Sequence, residues 1–318
     1  MTTAHEIIDA FAKAMAESGI VPPDQIIADG KLHRFNPRGA KLGDKPAYYV
    51  LHLDGVAAGT FGDWRSGMQS GWRHDRALTK EDRAAARKAQ QEAQRGRAKE
   101  TLEKHRQASE LAAKMWNAAT GATNEHPYLM AKGITAQGAR LSGYGDLMIP
   151  MFQEQGICGL QFIAEDGAKK FLPGSRLKGS FWYWPGNGSS VAEGFATVCI
   201  AEGFATAASI REATGFDTVV AFNAGNLVPV ARQIRLRYPK ADIVICADDD
   251  HATEGNPGIK AAQAATMVCR GAVAYPPLQR VEGTDFNDVA VGYGRETGHE
   301  LIRKAIGDAT PWKALKCK

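Results

Sequence analysis

The sequence has few cysteines and no paired ones. Its five cysteines lie at positions 158, 199, 246, 269 and 317; none forms a C-x-x-C pair and none lies in the first 157 residues. A disulfide framework and a cysteine-ligated zinc site are therefore not expected. His33 and His52 lack partner ligands at metal-binding spacing, so we predict no zinc in the N-terminal part either.

Long hydrophobic runs and a secretion signal are also missing. No run of about 18 apolar residues exists, which argues against a membrane-spanning helix. The opening MTTAHEIIDAFAKAMAESGI carries acids among its apolar positions and predicts an amphipathic helix instead of a signal peptide. The P-loop pattern of helicase motors is absent as well. We expect a cytoplasmic protein with no membrane partner.

Positive charge is concentrated in the middle of the chain. The net charge is +4, and residues 79–116 hold ten basic and six acidic residues, while the two flanks are each balanced. This segment is rich in Ala, Lys, Arg, Glu and Gln and contains no proline, so it predicts a basic helical connector. Two interpretations stay open: a rod that contacts nucleic-acid phosphates, or an exposed linker helix.

Strands and helices alternate in the C-terminal half. The runs TVCIA, TVVAF, DIVICA and AVAY are separated by helical patterns, which predicts an α/β fold with a parallel sheet. Before them, DLMIPMF, GICGLQFIA and SFWYW predict antiparallel strands. Residues 1–78 predict one helix and a small β-rich unit.

Acidic side chains follow the predicted strands at the edge where parallel sheets bind ligands. They are Glu202 after the first strand, Asp248, Asp249 and Asp250 after the third, and Asp285 and Asp288 after the fourth. Asp248 and Asp250 point to one side because extended residues alternate. A single acid of this kind is commonly a helix cap, but the whole set predicts a site for Mg²⁺ or Mn²⁺.

Basic and aromatic residues interleave before the parallel strands. The basic residues are Lys169, Lys170, Arg176 and Lys178, and Trp182 lies among the aromatics that follow them. Cations bind phosphates and aromatic rings stack on bases, so we predict that these five residues contact nucleotide or template. The alternative is a hairpin with aromatics in the core and lysines in solvent.

Three runs, IAEGFATAASI, IVICADDD and GTDFND, resemble the Toprim domain, which primases, topoisomerases and some nucleases share. Glu202 matches its glutamate, Asp248 and Asp250 match its D-x-D, and Asp285 matches the third acidic element of primases. Asp249, Asn287 and Asp288 are further candidates. The run HPYLMAKGITAQGARLSGYGDLMIPMF and the stretch GLQFIAEDGAKKFLPGSRLKGSFWYWPG resemble the catalytic core of bacterial replicative primases.

The N-terminal runs DGKLHRFNPRG, GDKPAYYVLHLDG and GTFGDWRSG resemble the opening of phage and plasmid Toprim primases. The resemblance implies five parts: a zinc-free template-binding unit (1–78), the connector (79–116), a mixed α+β primase subdomain (117–190), a Rossmann-like Toprim domain (191–295), and a C-terminal helix and tail (296–318). In the first part, the residues offered to single-stranded DNA would be Arg34, Arg38, Lys41, Trp64, Arg65 and Trp72; the alternative is that this part is a plain structural module.

The implied function is a DNA primase, a nucleotidyltransferase that makes short RNA primers on single-stranded DNA for phage, plasmid or mobile-element replication. Glu202, Asp248 and Asp250 would be catalytic, and together with Asp285 they would bind Mg²⁺ or Mn²⁺. Ribonucleoside triphosphates would be substrates, and a replicative helicase or polymerase a partner. The chain could be a stand-alone primase or part of a longer primase–helicase. A Toprim nuclease and a non-catalytic single-stranded-DNA-binding accessory protein remain alternatives.

Overall fold

The computed structural model describes residues 3–37, 44–53, 56–74, 80–187 and 197–315, with only the backbone described at 80–87, 89 and 90. The predicted DNA-contacting residues Arg38 and Lys41 lie outside these ranges. The chain divides into two compact units, Met1–Lys99 and Glu100–Lys318, which are described separately below. Within the described ranges, every helix is too short or too polar to cross a bilayer.

The first unit packs one helix on an antiparallel sheet, as the sequence predicts. Helix α1 (Ala4–Glu17) begins with a capping box between Thr3 and Glu6. Strands β1 (His33–Phe35), β2 (Ala47–His52), β3 (Ala58–Asp63) and β4 (Met68–Arg73) follow in sequential order across the sheet. The apolar face of α1 buries Phe11 and Met15 against the sheet residue Phe61, which gives this unit its own core.

Helix α2 (Lys80–Ala118) spans the division between the units. Residues 91–104 of this helix are exposed, as the interpretation of a solvated connector requires. Its C-terminal part differs from that interpretation. Ala112 is fully buried, and the Ser109 hydroxyl donates a 2.6 Å hydrogen bond to the Ile157 carbonyl. Small residues one turn apart let this end of the helix lie close against the second unit's first sheet.

That first sheet is antiparallel, and its central strands bury side chains on both faces. Helix α3 (Pro127–Lys132) precedes strands β5 (Arg140–Leu141), β6 (Leu147–Gln153), β7 (Gly156–Ile163) and β8 (Lys169–Phe171), which pair in sequential order. Because side chains alternate along a strand, Met148 packs with Ala112 of α2, while Ile149 and Met151 face the opposite way into the larger core. This alternation fixes which strand residues reach the functional site.

The larger layer of the second unit is a six-stranded sheet with helices on both faces. Its chain order is β9 (Trp182–Trp184), β10 (Thr197–Ala201), α4 (Phe204–Thr214), β11 (Asp217–Val220), α5 (Ala224–Arg237), β12 (Asp242–Cys246), α6 (Pro257–Cys269), β13 (Ala272–Ala274), α7 (Phe286–Gly292), α8 (Arg295–Gly307), β14 (Thr310–Pro311) and α9 (Trp312–Leu315). The order across the sheet is β14-β13-β12-β10-β11-β9.

The four central strands of this sheet are parallel, which confirms the predicted α/β class. The edge strands β9 and β14 run antiparallel to their neighbours. The SFWYW run is therefore not a further strand of the preceding antiparallel sheet: β9 pairs with β11, and among the described residues only a single bridge between Phe152 and Phe181 links it back. Its apolar side chains are buried by joining the larger core instead.

Candidate active site

Acidic residues gather at the carboxyl ends of the two central strands. Glu202 directly follows β10, and Asp248 and Asp250 follow β12. Strands β10 and β12 are parallel neighbours with Ala201 opposite Cys246, so both chains leave the sheet at the same edge. Asp285 joins them from the N-terminus of α7. The structure thus brings together all four acids that the sequence assigns to the site.

Asp248 is the most perturbed member of this acidic cluster of Glu202, Asp248, Asp250 and Asp285. Burial raises the pKa of its carboxyl to about 8, and the charges of Asp285, Glu202 and Asp250 add to the effect. Its Oδ1 atom is buried without a hydrogen-bond partner. A buried carboxylate oxygen that is unpartnered and faces like charges is a costly arrangement, and a bound cation would relieve it.

The other three carboxylates are held by short hydrogen bonds. Glu202 accepts one from the backbone N–H of Ala224, while burial, Asp250 and Asp285 raise its pKa. The Gly258 N–H donates to Asp250 Oδ2 at 2.9 Å, and the Thr206 hydroxyl donates to Asp285 Oδ2 at 2.8 Å. These bonds orient the Asp250 and Asp285 carboxylates.

A tight loop after β12 positions Asp248 and Asp250. A side chain on Gly258 would place its Cβ 2.4 Å from the Asp248 carbonyl oxygen and 2.8 Å from Asp250 Oδ2, so only glycine fits there. Asn256 adopts a left-handed φ of 45°, and its amide donates to Asp249 Oδ1 at 2.5 Å. Asp249 is thus bound within the loop. The sequence reasoning missed this role of Asn256 and Gly258, although an Asn-Pro-Gly helix start was readable.

The three candidates on helix α7 have different roles. Asp285 Oδ1 caps the helix by accepting from the Asn287 N–H at 2.7 Å, so it serves as both cap and cluster member. Asp288 completes the capping box and accepts from the Thr284 N–H at 2.8 Å. Asn287 is fully buried and donates to the Lys132 carbonyl oxygen at 2.7 Å. Asp288 and Asn287 therefore hold the loop and helix that present Asp285.

The donor atoms suit a hard divalent cation, but they do not converge on one point. In the parts of the chain that the structure describes, no group of three or more His, Cys, Asp or Glu side chains has the spacing of a metal site. The donors of the acidic cluster are all carboxylate oxygens, the type that Mg²⁺ and Mn²⁺ prefer. The unpartnered Asp248 Oδ1 gives such an ion a first ligand, and the others would join by turning from their hydrogen bonds.

One lysine from the antiparallel sheet faces the acidic cluster. The Lys169 ammonium group lies 3.9 Å from the position of a Cβ on Gly203, and its charge lowers the pKa values of both Glu202 and Asp248. Lys170 is the next residue of β8 and points to the other face, where it pairs with Phe162. The structure therefore brings Lys169 to the acids and leaves Lys170 away from them.

The remaining predicted contacts separate into exposed and buried groups. Arg176 and Lys178 are exposed and line a cavity of about 500 Å³ together with His105 and Arg232. The sequence reasoning missed Arg232, because it lies in an ordinary amphipathic stretch of α5 with no motif around it.

The placement of Trp182 corrects its predicted role. The residue is only 9% exposed, and its ring centroid lies 4.8 Å from that of Trp184 and 6.2 Å from that of Phe204. The indole thus stacks on Phe204 and makes an edge contact with Trp184. Trp182 is a core residue and offers no free face to a base.

Comparison with known proteins places this site in a class. Residues 191–296 match the family described as Toprim domain. The chain therefore contains a Toprim domain, and the resemblance inferred from its motifs is confirmed. This match covers the parallel strands, the D-x-D loop and helix α7, and hence the whole acidic cluster.

Related proteins extend the match beyond that domain. The chain is 34% identical to a DNA primase TraC of Escherichia coli over 96% of its length and 22% of that protein. It is also 34% identical to a second DNA primase TraC of Escherichia coli, over 84% of this chain and 26% of the other. The chain thus spans about a quarter of the curated relatives it matches. A solved structure of the Aquifex aeolicus primase zinc-binding and RNA polymerase domains covers 98% of this chain and 86% of that one, with 16% identity and a TM-score of 0.42.

Proposed function

We propose that this chain is the primer-synthesising part of a DNA primase, which joins ribonucleotides on single-stranded DNA in a reaction that depends on a divalent cation. The observation that carries the proposal is the buried, unpartnered Asp248 carboxylate among three further acids of a Toprim domain. The similarity to DNA primase TraC over 96% of the chain supports the same reaction.

Asp248, Asp250 and Asp285 would hold Mg²⁺ or Mn²⁺ in this proposal. When bound, such a cation would neutralise charge on the phosphate oxygens of the incoming nucleotide and on its pyrophosphate leaving group. Asp248 would bind through its free Oδ1. The Gly258 N–H would orient Asp250 through the bond to Oδ2, and the Thr206 hydroxyl would orient Asp285.

Glu202 would accept the proton of the attacking hydroxyl, or help to bind the cation. The 3′-oxygen of the primer would form a bond to the α-phosphorus of the next nucleotide, and the bond to pyrophosphate would break. A carboxylate whose pKa is raised by burial is a stronger base than an exposed one, which suits proton transfer near neutral pH. Lys169 beside it would bind triphosphate oxygens, which Lys170 on the other face of β8 would not do.

The template would bind to basic and aromatic surfaces of the two units. In the second unit, Arg176, Lys178 and Arg232 line a cationic cavity suited to phosphates. In the first unit, the Arg34 guanidinium lies 4.6 Å from the centroid of Trp64, which is 51% exposed and stacks on Tyr48. An exposed aromatic ring that carries a cation is a platform for a single-stranded base.

The test is primer synthesis by the whole chain. The protein is incubated with single-stranded DNA, four ribonucleotides, one of them labelled, and Mg²⁺ or Mn²⁺. Asp248→Ala and Glu202→Gln are assayed beside it, with Asp308→Ala as a matched exposed control. We expect short labelled products from the parent and the control only.

Each other outcome contradicts a defined part of the proposal. Synthesis retained by Asp248→Ala would refute the site. Shortened template without synthesis would show a nuclease instead. Bound but unchanged DNA under every metal and template would show a single-strand-binding protein.

A further inference from the structure

A second cavity, the rear cavity, lies at the opposite end of the parallel strands, where β10 and β12 begin. Its volume is about 670 Å³, within the range of about 300–1,000 Å³ typical of small-molecule sites. Thr197 and Asp242, the first residues of β10 and β12, line it. The acidic cluster follows the last residues of the same strands, which lie about 13 Å further along at about 3.3 Å per residue. The two sites are thus separate.

The rear cavity is lined mainly by positively charged side chains, whereas the acidic cluster is negatively charged. Its lining holds four cationic side chains and one acid: Arg235, Arg270, Arg303, Lys313 and Asp242. In the described ranges, none of the three arginines forms an ion pair with a carboxylate. Three arginines without carboxylate partners around one cavity attract a polyanion.

The fixed position of one arginine strengthens this conclusion. Arg235 donates from Nε to the Cys269 carbonyl oxygen at 2.7 Å, and from Nη1 to the carbonyl oxygens of Pro239 and Ala241 at 2.9 and 2.8 Å. All three acceptors are neutral, so they hold the guanidinium in place without cancelling its charge. Arg303 is anchored in the same way, by a 2.9 Å bond to the Ala213 carbonyl oxygen. Pre-positioned cations lose little freedom when they bind phosphate.

The walls between these cations are apolar and partly aromatic. Ile306 and Pro311 line the cavity beside the rings of Phe216 and Trp312. Phe216 is 39% exposed, although it is a large apolar side chain at the start of a buried strand. A cavity with phosphate-binding cations on one part and aromatic rings on another matches a ligand with both an anionic tail and a flat ring.

We propose that the rear cavity binds a nucleoside di- or triphosphate. The phosphates would lie against Arg270 and Arg303, and the base against Phe216. The bounded volume favours a single free nucleotide over a strand, because strand sites follow the backbone over about four or more nucleotides. This site would be additional to the acidic cluster, and the proposal does not depend on the proposed primer synthesis.

The test is calorimetric titration of the full chain with ATP in EDTA. Without a divalent cation the acidic cluster repels a triphosphate, so binding there does not contribute. We expect saturable ATP binding that weakens about tenfold in Arg270→Gln and in Arg303→Gln, as the loss of one charge-assisted hydrogen bond predicts. Lys304→Gln is the matched control on helix α8, because Lys304 is exposed and lies outside the cavity lining; it should change the affinity less than about twofold. Adenosine should bind much more weakly than ATP.

A second measurement locates the ligand even if a variant fails to fold. Hydrogen exchange of the parent should slow at residues 214–216 and 270–272 when ATP is added in EDTA, and should stay unchanged at 248–250 and 284–288. The proposal is overturned if ATP does not bind in EDTA, if both arginine variants bind like the parent, or if protection appears at the acidic cluster. Equal or tighter competition by a short oligonucleotide would assign the cavity to a strand and would also overturn it.

Discussion

The buried carboxyl of Asp248 makes the stability of the metal-free protein depend on pH in a predictable direction. Burial and neighbouring acids raise its pKa to about 8 from an ordinary 3.8. The folded state therefore favours the protonated acid. Its stabilising contribution is complete below about pH 4, falls as pH rises toward 8, and is lost above that value. At about 1.36 kcal/mol per pH unit the full effect is on the order of 5 kcal/mol.

Replacing Asp248 by asparagine removes this ionisation and keeps the shape of the side chain. In EDTA at pH 8.5, we expect Asp248→Asn to be more stable than the parent by about 2–5 kcal/mol, because movement of the neighbouring acids on ionisation relieves part of the cost. At pH 5 most of this difference should disappear. Addition of Mg²⁺ at pH 8.5 should stabilise the parent more than the variant, since ligands stabilise the state that binds them.

The assay is urea unfolding at pH 5 and pH 8.5, followed by hydrogen exchange of peptides from β10 and β12. Local exchange is needed because the chain has two compact units that can unfold separately. Asp308→Asn, an exposed acid outside the cluster, is the control and should follow the parent at both pH values. The reasoning is refuted if Asp248→Asn is less stable than the parent at pH 8.5, or if both lose the same stability between the two pH values.

Three further predictions concern neighbouring residues. Lys169→Gln should reduce primer synthesis by about ten- to a hundredfold and move its pH optimum upward, because Lys169 lowers the pKa of Asp248. Lys170→Gln, the control on the other face of β8, should change the rate and the pH optimum little. Equal effects of the two variants in steady-state assays would contradict the assignment of Lys169. Gly258→Ala should weaken the Mg²⁺-induced stabilisation, measured by thermal melting, because its Cβ would displace the Asp248 carbonyl; an unchanged Mg²⁺ response would contradict the tight-loop argument. Trp182→Ala should cost about 3–5 kcal/mol of unfolding free energy by urea titration, and a stable variant with weakened DNA binding would restore its predicted role.

The acidic cluster could be predicted from sequence because the acids lie close to the ends of recognisable strands. The parallel strands β10 and β12 are short apolar runs with acids at or just after their ends, and parallel neighbours must end at the same edge. Glu202 and Asp248 needed no further information than that. The environment of Asp248 could not be predicted, because Asp285 and Lys169, which act on its carboxyl, are remote from it in sequence.

The register of single strands was the part that sequence could not supply. Lys169 and Lys170 are chemically equivalent, and the choice between them depends on which face of β8 turns toward Glu202. That face is set by the pairing of Lys170 with Phe162 across the sheet. A shift of one residue would exchange the two lysines, and no composition rule detects such a shift.

Strand pairing also determines whether the aromatic residues of the SFWYW run are buried or exposed. Aromatic residues beside lysines fit a nucleic-acid platform and a buried strand equally well, and the two interpretations differ only in what covers the rings. Because β9 pairs with β11 at the sheet edge, Trp182 is packed against Phe204 and removed from solvent. In the preceding strand β8, only Lys169 faces the acids. In the proposed function and at the proposed nucleotide site, phosphate would therefore be bound by Lys169 and the cationic cavities, while the aromatics of β9 stabilise the sheet that carries the acidic cluster.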